Sequence, residues 1–140
     1  MDVMPSESEM FEKGFQNRKA VLGASHVEKS WEKADQFNRP AQRLVTEYCW
    51  GEVWGDETLP FRTRSMLNLA MLTAMNQQHE LAVHVRGALN NGVTPEEIQA
   101  ILLQAMVYCG APAALSAFRT ASTVLRDWES EQNDKAPPTG

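Results

Sequence analysis

Apolar residues along this chain recur at three- and four-residue steps, and alternation of period two never persists beyond a few positions. That pattern predicts amphipathic helices and no sheet. A first helix is expected from about Glu7 to Val21, with Met10, Phe11 and Phe15 on one side and Gly23 beyond its end. A second covers about Val27 to Phe37 and carries Trp31. Pro40 suits the first turn of a third, along which Leu44, Val45 and Tyr48 fall at helical spacing. Trp50 to Pro60 reads as a helix end followed by a loop, and its two tryptophans beside glycines fit either a pocket wall or a core plug.

The centre is the most strongly patterned region. Arg62 to about Met75 reads as one helix whose apolar face is Met66, Leu67, Ala70, Met71 and Ala74. Asn76-Gln77-Gln78 marks a break, and the next helix covers about His79 to Leu89. Asn90-Asn91-Gly92 supplies a left-handed stop. Thr94-Pro95-Glu96-Glu97 is a helix start in which Thr94 caps, Pro95 fills the first position and Glu97 completes a capping box. That helix runs through Ile98, Ile101, Leu102, Ala105 and Met106 to Cys109, where Gly110-Ala111-Pro112 breaks it. A last helix packs Ala114, Phe118, Ala121, Leu125 and Trp128 inward, and residues 129–140 are polar and proline-containing enough to predict a disordered tail. The expected fold is all-α: one domain over residues 1–128, a bundle of about six helices round a central helical hairpin.

Composition narrows the function. A chain of 140 residues has one domain's worth of core. The net charge of −5 argues against a nucleic-acid binder, which needs a basic surface to neutralise phosphates. No apolar run approaches the roughly 20 residues that span a bilayer, and the acidic start lacks the basic and apolar regions of a signal peptide. The two cysteines, Cys49 and Cys109, are far apart and form no C-x-x-C motif, which fits reduced thiols in a cytoplasmic protein. Their apolar neighbours predict core positions for both.

Zinc-site, phosphate-loop and nucleophile-elbow motifs are missing, so no metal is expected. The segment Gln77 to Arg86 remains. Positions 77, 80 and 84 share one helix face, so Glu80 stands one turn before His84. A carboxylate there can set the imidazole's tautomer, as in a general acid or base; the same pair also fits a core histidine that ties two helices together. Arg62 and Arg64 open the preceding helix, and a guanidinium can grip a carboxylate with two parallel bonds. Arg86 lies about 200° round from His84, so it can reach His84's pocket only from a neighbouring subunit.

These residues carry a resemblance. The block Arg62-Thr63-Arg64-Ser65 through Leu69-Ala70 to Ala74 is followed by Glu80-Leu81, His84, Arg86-Gly87-Ala88-Leu89-Asn90-Asn91-Gly92 and Thr94-x-Glu96-Glu97-Ile98. Tyr108-Cys109-Gly110-x-Pro112-Ala113-Ala114 comes later, and upstream lie Arg18-x-x-Val21-Leu22-Gly23-x-x-His26-Val27 and Trp50-Gly51-x-x-Trp54. In order and spacing the chain resembles the carboxymuconolactone decarboxylase family over about residues 14 to 126. Alkylhydroperoxidase D-like relatives carry C-x-x-C before the equivalent histidine; Gln77 and Glu80 stand there instead, which removes the means for thiol peroxidase chemistry. Many members have an Arg-Pro-Gly-Leu loop where this chain has Gly55-Asp56-Glu57-Thr58-Leu59, so one arginine able to bind substrate is lost.

The resemblance implies an alkylhydroperoxidase D-like helical subunit assembled as a homo-oligomer, a hexamer or a trimer. It implies cofactor-free conversion of γ-carboxymuconolactone to β-ketoadipate enol-lactone, in the β-ketoadipate route of aromatic breakdown. His84 would protonate or hydrogen-bond the dienolate, with Glu80 orienting it. Arg62 or Arg64 would anchor substrate carboxylates, helped by His26 or Arg86 of a neighbouring subunit, while Trp50 and Trp54 exclude water. Two other readings keep the fold: a decarboxylase or isomerase of another small carboxylated carbonyl compound, or a non-catalytic helical oligomer that binds a small ligand.

Overall fold

The computed structural model describes residues 8–135. Among them are seven α-helices, one π-helical segment and no strand. The chain forms two compact units, Met1–Arg64 and Ser65–Gly140. The boundary falls inside the fourth helix.

The first unit holds α1 (Glu9–Leu22), α2 (Ala24–Lys33), α3 (Arg39–Leu44) and the π segment Val45–Val53. Glu7, the expected start of the first helix, lies outside the described residues; Ser8 caps α1 by accepting from the Phe11 N–H at 3.1 Å. Phe11, Phe15 and Trp31 form an aromatic cluster between α1 and α2, with Phe11 and Trp31 centroids 5.4 Å apart. Helix α1 presses its backbone onto the π segment. A Cβ on Gly14 would sit 1.8 Å from the Thr46 carbonyl oxygen, and one on Gly51 would sit 2.4 Å from that of Met10. The wide turn shows in the bond from Trp54 N–H to the Cys49 carbonyl, five residues back at 2.9 Å. Asn17 on α1 donates to the Trp50 carbonyl at 2.9 Å, and the buried Arg18 donates to Gln42 and Thr46. Side chains of α1 thus supply donors to the widened helix.

The second unit contains most of α4 (Phe61–Ala74), then α5 (Gln78–Asn90), α6 (Pro95–Cys109) and α7 (Ala111–Lys135). Its core is Leu69, Leu81, Val85, Ala88, Leu89, Val93, Ile98, Leu102, Ala117 and Ala121. Small residues Ala114, Ala117 and Ala121 make one face of α7, which lets α5 and α6 pack close to it. Local chemistry ends each helix. Asn76 takes φ 55, and Gln77 N–H reaches the Leu72 carbonyl at 3.0 Å. Gly92, at φ 86, repeats the device after α5, with Val93 N–H on the Ala88 carbonyl at 2.9 Å. The capping box of Thr94 and Glu97 forms as the sequence predicts.

Three expectations change. The inward stripe of α4 is Ser65, Leu69 and Thr73, whereas Leu67 and Met71 are exposed; α4 is apolar on more than one side, and burial of Leu69 in the core of the second unit selects among the stripes. Helix α7 continues through Glu129 to Lys135, where disorder is expected, and Glu131 in this stretch pairs with Arg86 of α5; residues 136–140 lie outside the described residues. Cys49 and Cys109 are exposed in the single chain rather than in its core. Each belongs to an apolar surface, Cys49 beside exposed Tyr48 and Cys109 beside exposed Val107 and Tyr108. No helix among the described residues is long and apolar enough to cross a membrane.

Candidate active site

His84 stands in the middle of α5 and is buried, at 9% exposure. Leu81, Val85 and Ala88 on the same helix are fully buried, so packing fixes the helical turn that carries the imidazole. The polar neighbour resolved at its ring is Asn68 of α4, whose Nδ2 lies 3.4 Å from His84 Nδ1. Glu80, the orienting acid expected from spacing, is exposed at the start of α5 while His84 is buried.

Asn68 escapes a reading based on motifs because its partner is 16 residues away. Asparagine in a helix interior is a weak signal for such a role, since its propensity there is poor and its side chain competes for backbone bonds. A second tie between α4 and α5 lies nearby. Asn91 donates to the fully buried Ser65 hydroxyl at 2.9 Å, which pins the end of α5 to the start of the buried stripe of α4.

Arg86 is partly exposed on α5. Its guanidinium pairs with Glu131 of α7 and holds that carboxyl below its ordinary range, chiefly through the hydrogen bond. His26 is exposed on α2. Trp50 and Trp54 are buried and stacked, with centroids 4.6 Å apart and planes at 25°, and the Phe61 ring meets Trp54 edge-on at 5.5 Å. Trp54 also lines a cavity of about 320 Å³ with Lys13, Asn17, Leu59 and Phe61.

Arg62 and Arg64 are half-buried in the first turn of α4. Arg64 Nη2 donates to the Asp56 carbonyl at 2.9 Å, while its Nε is buried without a hydrogen-bond partner among the described residues. The Asp56 carboxylate accepts from the N–H and hydroxyl of Thr58, which hold it below its ordinary range, with Arg64 adding to the effect. A further cavity, of about 280 Å³, lies between α6 and α7 over Ile98, Leu102, Phe118 and Leu125. Among the described residues, no cluster of three or more His, Cys, Asp or Glu side chains is arranged to hold a metal ion.

Such an arrangement suits charge stabilisation more than nucleophilic attack. The buried imidazole is a hydrogen-bonding group in low-dielectric surroundings, where one donor acts more strongly than in water. Residues 39–123 match the carboxymuconolactone decarboxylase family. The chain is 39% identical over 128 residues to nitrosuccinic acid decarboxylase npaB of Metarhizium robertsii, covering 91% of this chain and 90% of that protein. It is 36% identical over 122 residues to 4-carboxymuconolactone decarboxylase of Acinetobacter baylyi, covering 87% and 91% respectively. The matched residues take in α4, α5 and α6 entire, with His84 and Asn68 among them. This chain belongs to the carboxymuconolactone decarboxylase family.

Proposed function

We propose that this chain, a decarboxylase of its family, converts γ-carboxymuconolactone to β-ketoadipate enol-lactone, with His84 as the catalytic residue. The observation that carries the reading is a buried imidazole on α5, inside the matched region, held at Nδ1 by Asn68. The reaction needs an electron sink. When CO2 leaves, its bonding pair spreads through the adjoining double bond to the lactone carbonyl as a dienolate. His84 hydrogen-bonds or protonates that dienolate, and a proton reaches carbon to complete the exchange of CO2 for hydrogen. The sink is part of the substrate, so no cofactor is required.

Arg62 and Arg64 are assigned to the substrate carboxylates. The buried Nε of Arg64 supports this, because a donor without an acceptor among the described residues can be completed by an incoming carboxylate. Trp50 and Trp54 are assigned to water exclusion, which strengthens the charged contacts that remain. We also assign this chain to a homo-oligomer. Leu103, Val107 and Tyr108 of α6 are exposed by 49%, 77% and 80%, more apolar surface on one helix than a monomer usually leaves in water.

A second reading has its own support. Nitrosuccinic acid, named for the relative at 39% identity, also carries a carboxylate on a carbon beside an electron-withdrawing group, here the nitro group. Purified protein is to be mixed with each compound while CO2 is measured. Release from γ-carboxymuconolactone, with the matching absorbance change, is expected. Release from nitrosuccinate alone replaces the substrate and keeps the chemistry, and binding of either without release makes the chain a ligand-binding oligomer.

A further inference from the structure

We infer that Lys13 and Arg64 form a seat for the two carboxylates of a small dicarboxylate, and that the loop 55–59 fills this seat from within until the ligand displaces it. The inference rests on the proposed decarboxylation for the identity of the ligand, but its geometry belongs to the first unit alone. The loop lies between the π segment and α4. Cations from two helices hold it at successive carbonyls. Lys13 Nζ of α1 donates to the Gly55 carbonyl at 3.2 Å, and Arg64 Nη2 of α4 donates to the Asp56 carbonyl at 2.9 Å. Both bonds are exposed, so a solute can reach them. Lys13 and the loop residues Gly55, Glu57 and Leu59 also line the cavity of about 320 Å³ that Trp54 and Phe61 wall with their rings.

A neutral carbonyl is a modest acceptor for a cation. A carboxylate in its place makes a charge-assisted bond, shorter and about twice as strong. Arg64 shows the shortfall, since its Nε is buried with no hydrogen-bond partner among the described residues. The Asp56 side chain does not make it up. Its carboxylate is turned back onto the Thr58 N–H and hydroxyl, at 2.9 and 2.7 Å, so Asp56 meets Arg64 through its main-chain carbonyl. Arg64 and Lys13 still act on that carboxylate through space, and Glu57 brings a second negative charge to the cavity. With the loop in place, two cations face two carboxylates of the protein's own. When the loop moves aside, Asp56 and Glu57 leave with it and the cations alone remain.

The same accounting selects the ligand. A dicarboxylate replaces both carbonyls and both negative charges at once, whereas a monocarboxylate replaces one and leaves the other anchor of the loop intact. The two compounds weighed above are of the first kind. In γ-carboxymuconolactone and in nitrosuccinate, one carbon bears both a carboxylate and a CH2–carboxylate arm, which is the skeleton of succinate.

Succinate, which lacks the electron-withdrawing group needed for loss of CO2, is therefore the probe. Calorimetry on the full chain should show that it binds, with acetate weaker by at least about tenfold, the least expected when one charged hydrogen bond is lost. At saturating succinate the amides of Glu57, Thr58 and Leu59 should exchange hydrogen faster, and sodium chloride of equal ionic strength should leave them unchanged. Lys13→Met should free the same amides without any ligand and weaken succinate by at least about tenfold; Lys13→Arg should restore both. Failure of succinate to bind, loop exchange that is unchanged or slowed, or a Lys13→Met protein that binds succinate as the parent does would each overturn the inference. If succinate frees the loop but neither compound releases CO2, the substrate reading fails alone. If CO2 is released and Lys13→Met leaves KM unchanged, the seat fails and the substrate stands.

Discussion

Arg86 on α5 forms an ion pair with Glu131 on α7, joining the helix of the buried histidine to the last turns of the chain. The pair lowers the Glu131 carboxyl from its ordinary value of 4.5. A carboxyl lowered by folding stabilises the folded chain above that ordinary value and loses the contribution as pH falls through the lowered one. Glu131→Gln should therefore flatten the acid side of the stability curve. Melting temperatures of both proteins from pH 7 to 3 provide the check; parallel curves would remove the pair from the account. Both side chains are about a third to a half exposed, so the effect should be small and should shrink in high salt.

His84→Ala should cost roughly 10²–10³ in kcat, the usual loss when one donor to a developing oxyanion is removed. His84→Gln, which retains an amide N–H, should recover part of it. Steady-state CO2 release measures both, and an alanine variant within threefold of the parent would exclude the imidazole from catalysis.

Gly14→Ala should unfold the first unit or weaken it by at least about 3 kcal/mol, although alanine in a helix interior ordinarily adds about 0.5–1 kcal/mol. The reversal comes from space: the new methyl would lie 1.8 Å from a backbone oxygen that cannot swing aside as a side chain does. Urea titration followed by tryptophan fluorescence reports it directly, since Trp31, Trp50 and Trp54 all lie in that unit.

Thr94→Ala removes the acceptor for the Glu97 N–H. Loss of this cap should cost about 1 kcal/mol, or roughly 4 °C in melting temperature for a chain of this size. A shift under 1 °C would mean that packing alone holds the start of α6.

Val107→Glu places a charge on the exposed apolar stretch of α6. Light scattering should find a smaller particle than the parent's, with the helical circular dichroism unchanged. An unchanged mass would move the subunit contact elsewhere.

The sequence made the hairpin's ends plain because each depends on adjacent residues: Asn76, Gly92 and the Thr94–Glu97 box act within one turn. What it obscured depends on which neighbour arrives from afar. Leu67 and Met71 have the same spacing as Leu69 and Thr73, and only packing in the folded core decides between them. Cys49 and Cys109 sit among apolar residues in either case, because an exposed apolar surface has the composition of a core. The π turns at Val45–Val53 leave no trace in composition, and Asn68 meets the His84 ring across 16 residues of sequence, beyond the reach of local spacing.

The wide turns have a last consequence, for chain length. Every residue after Val53 inherits its bearing from how many residues are wound into the segment before it, and removing one from a helix turns all that follow by about 100°. A single deletion between Val45 and Val53 would let ordinary α-turns form, yet it would rotate Trp54 away from Trp50 and leave the Asn17 amide facing the wrong oxygen. At this point in the chain, the count of residues governs the aromatic stack as firmly as their identity.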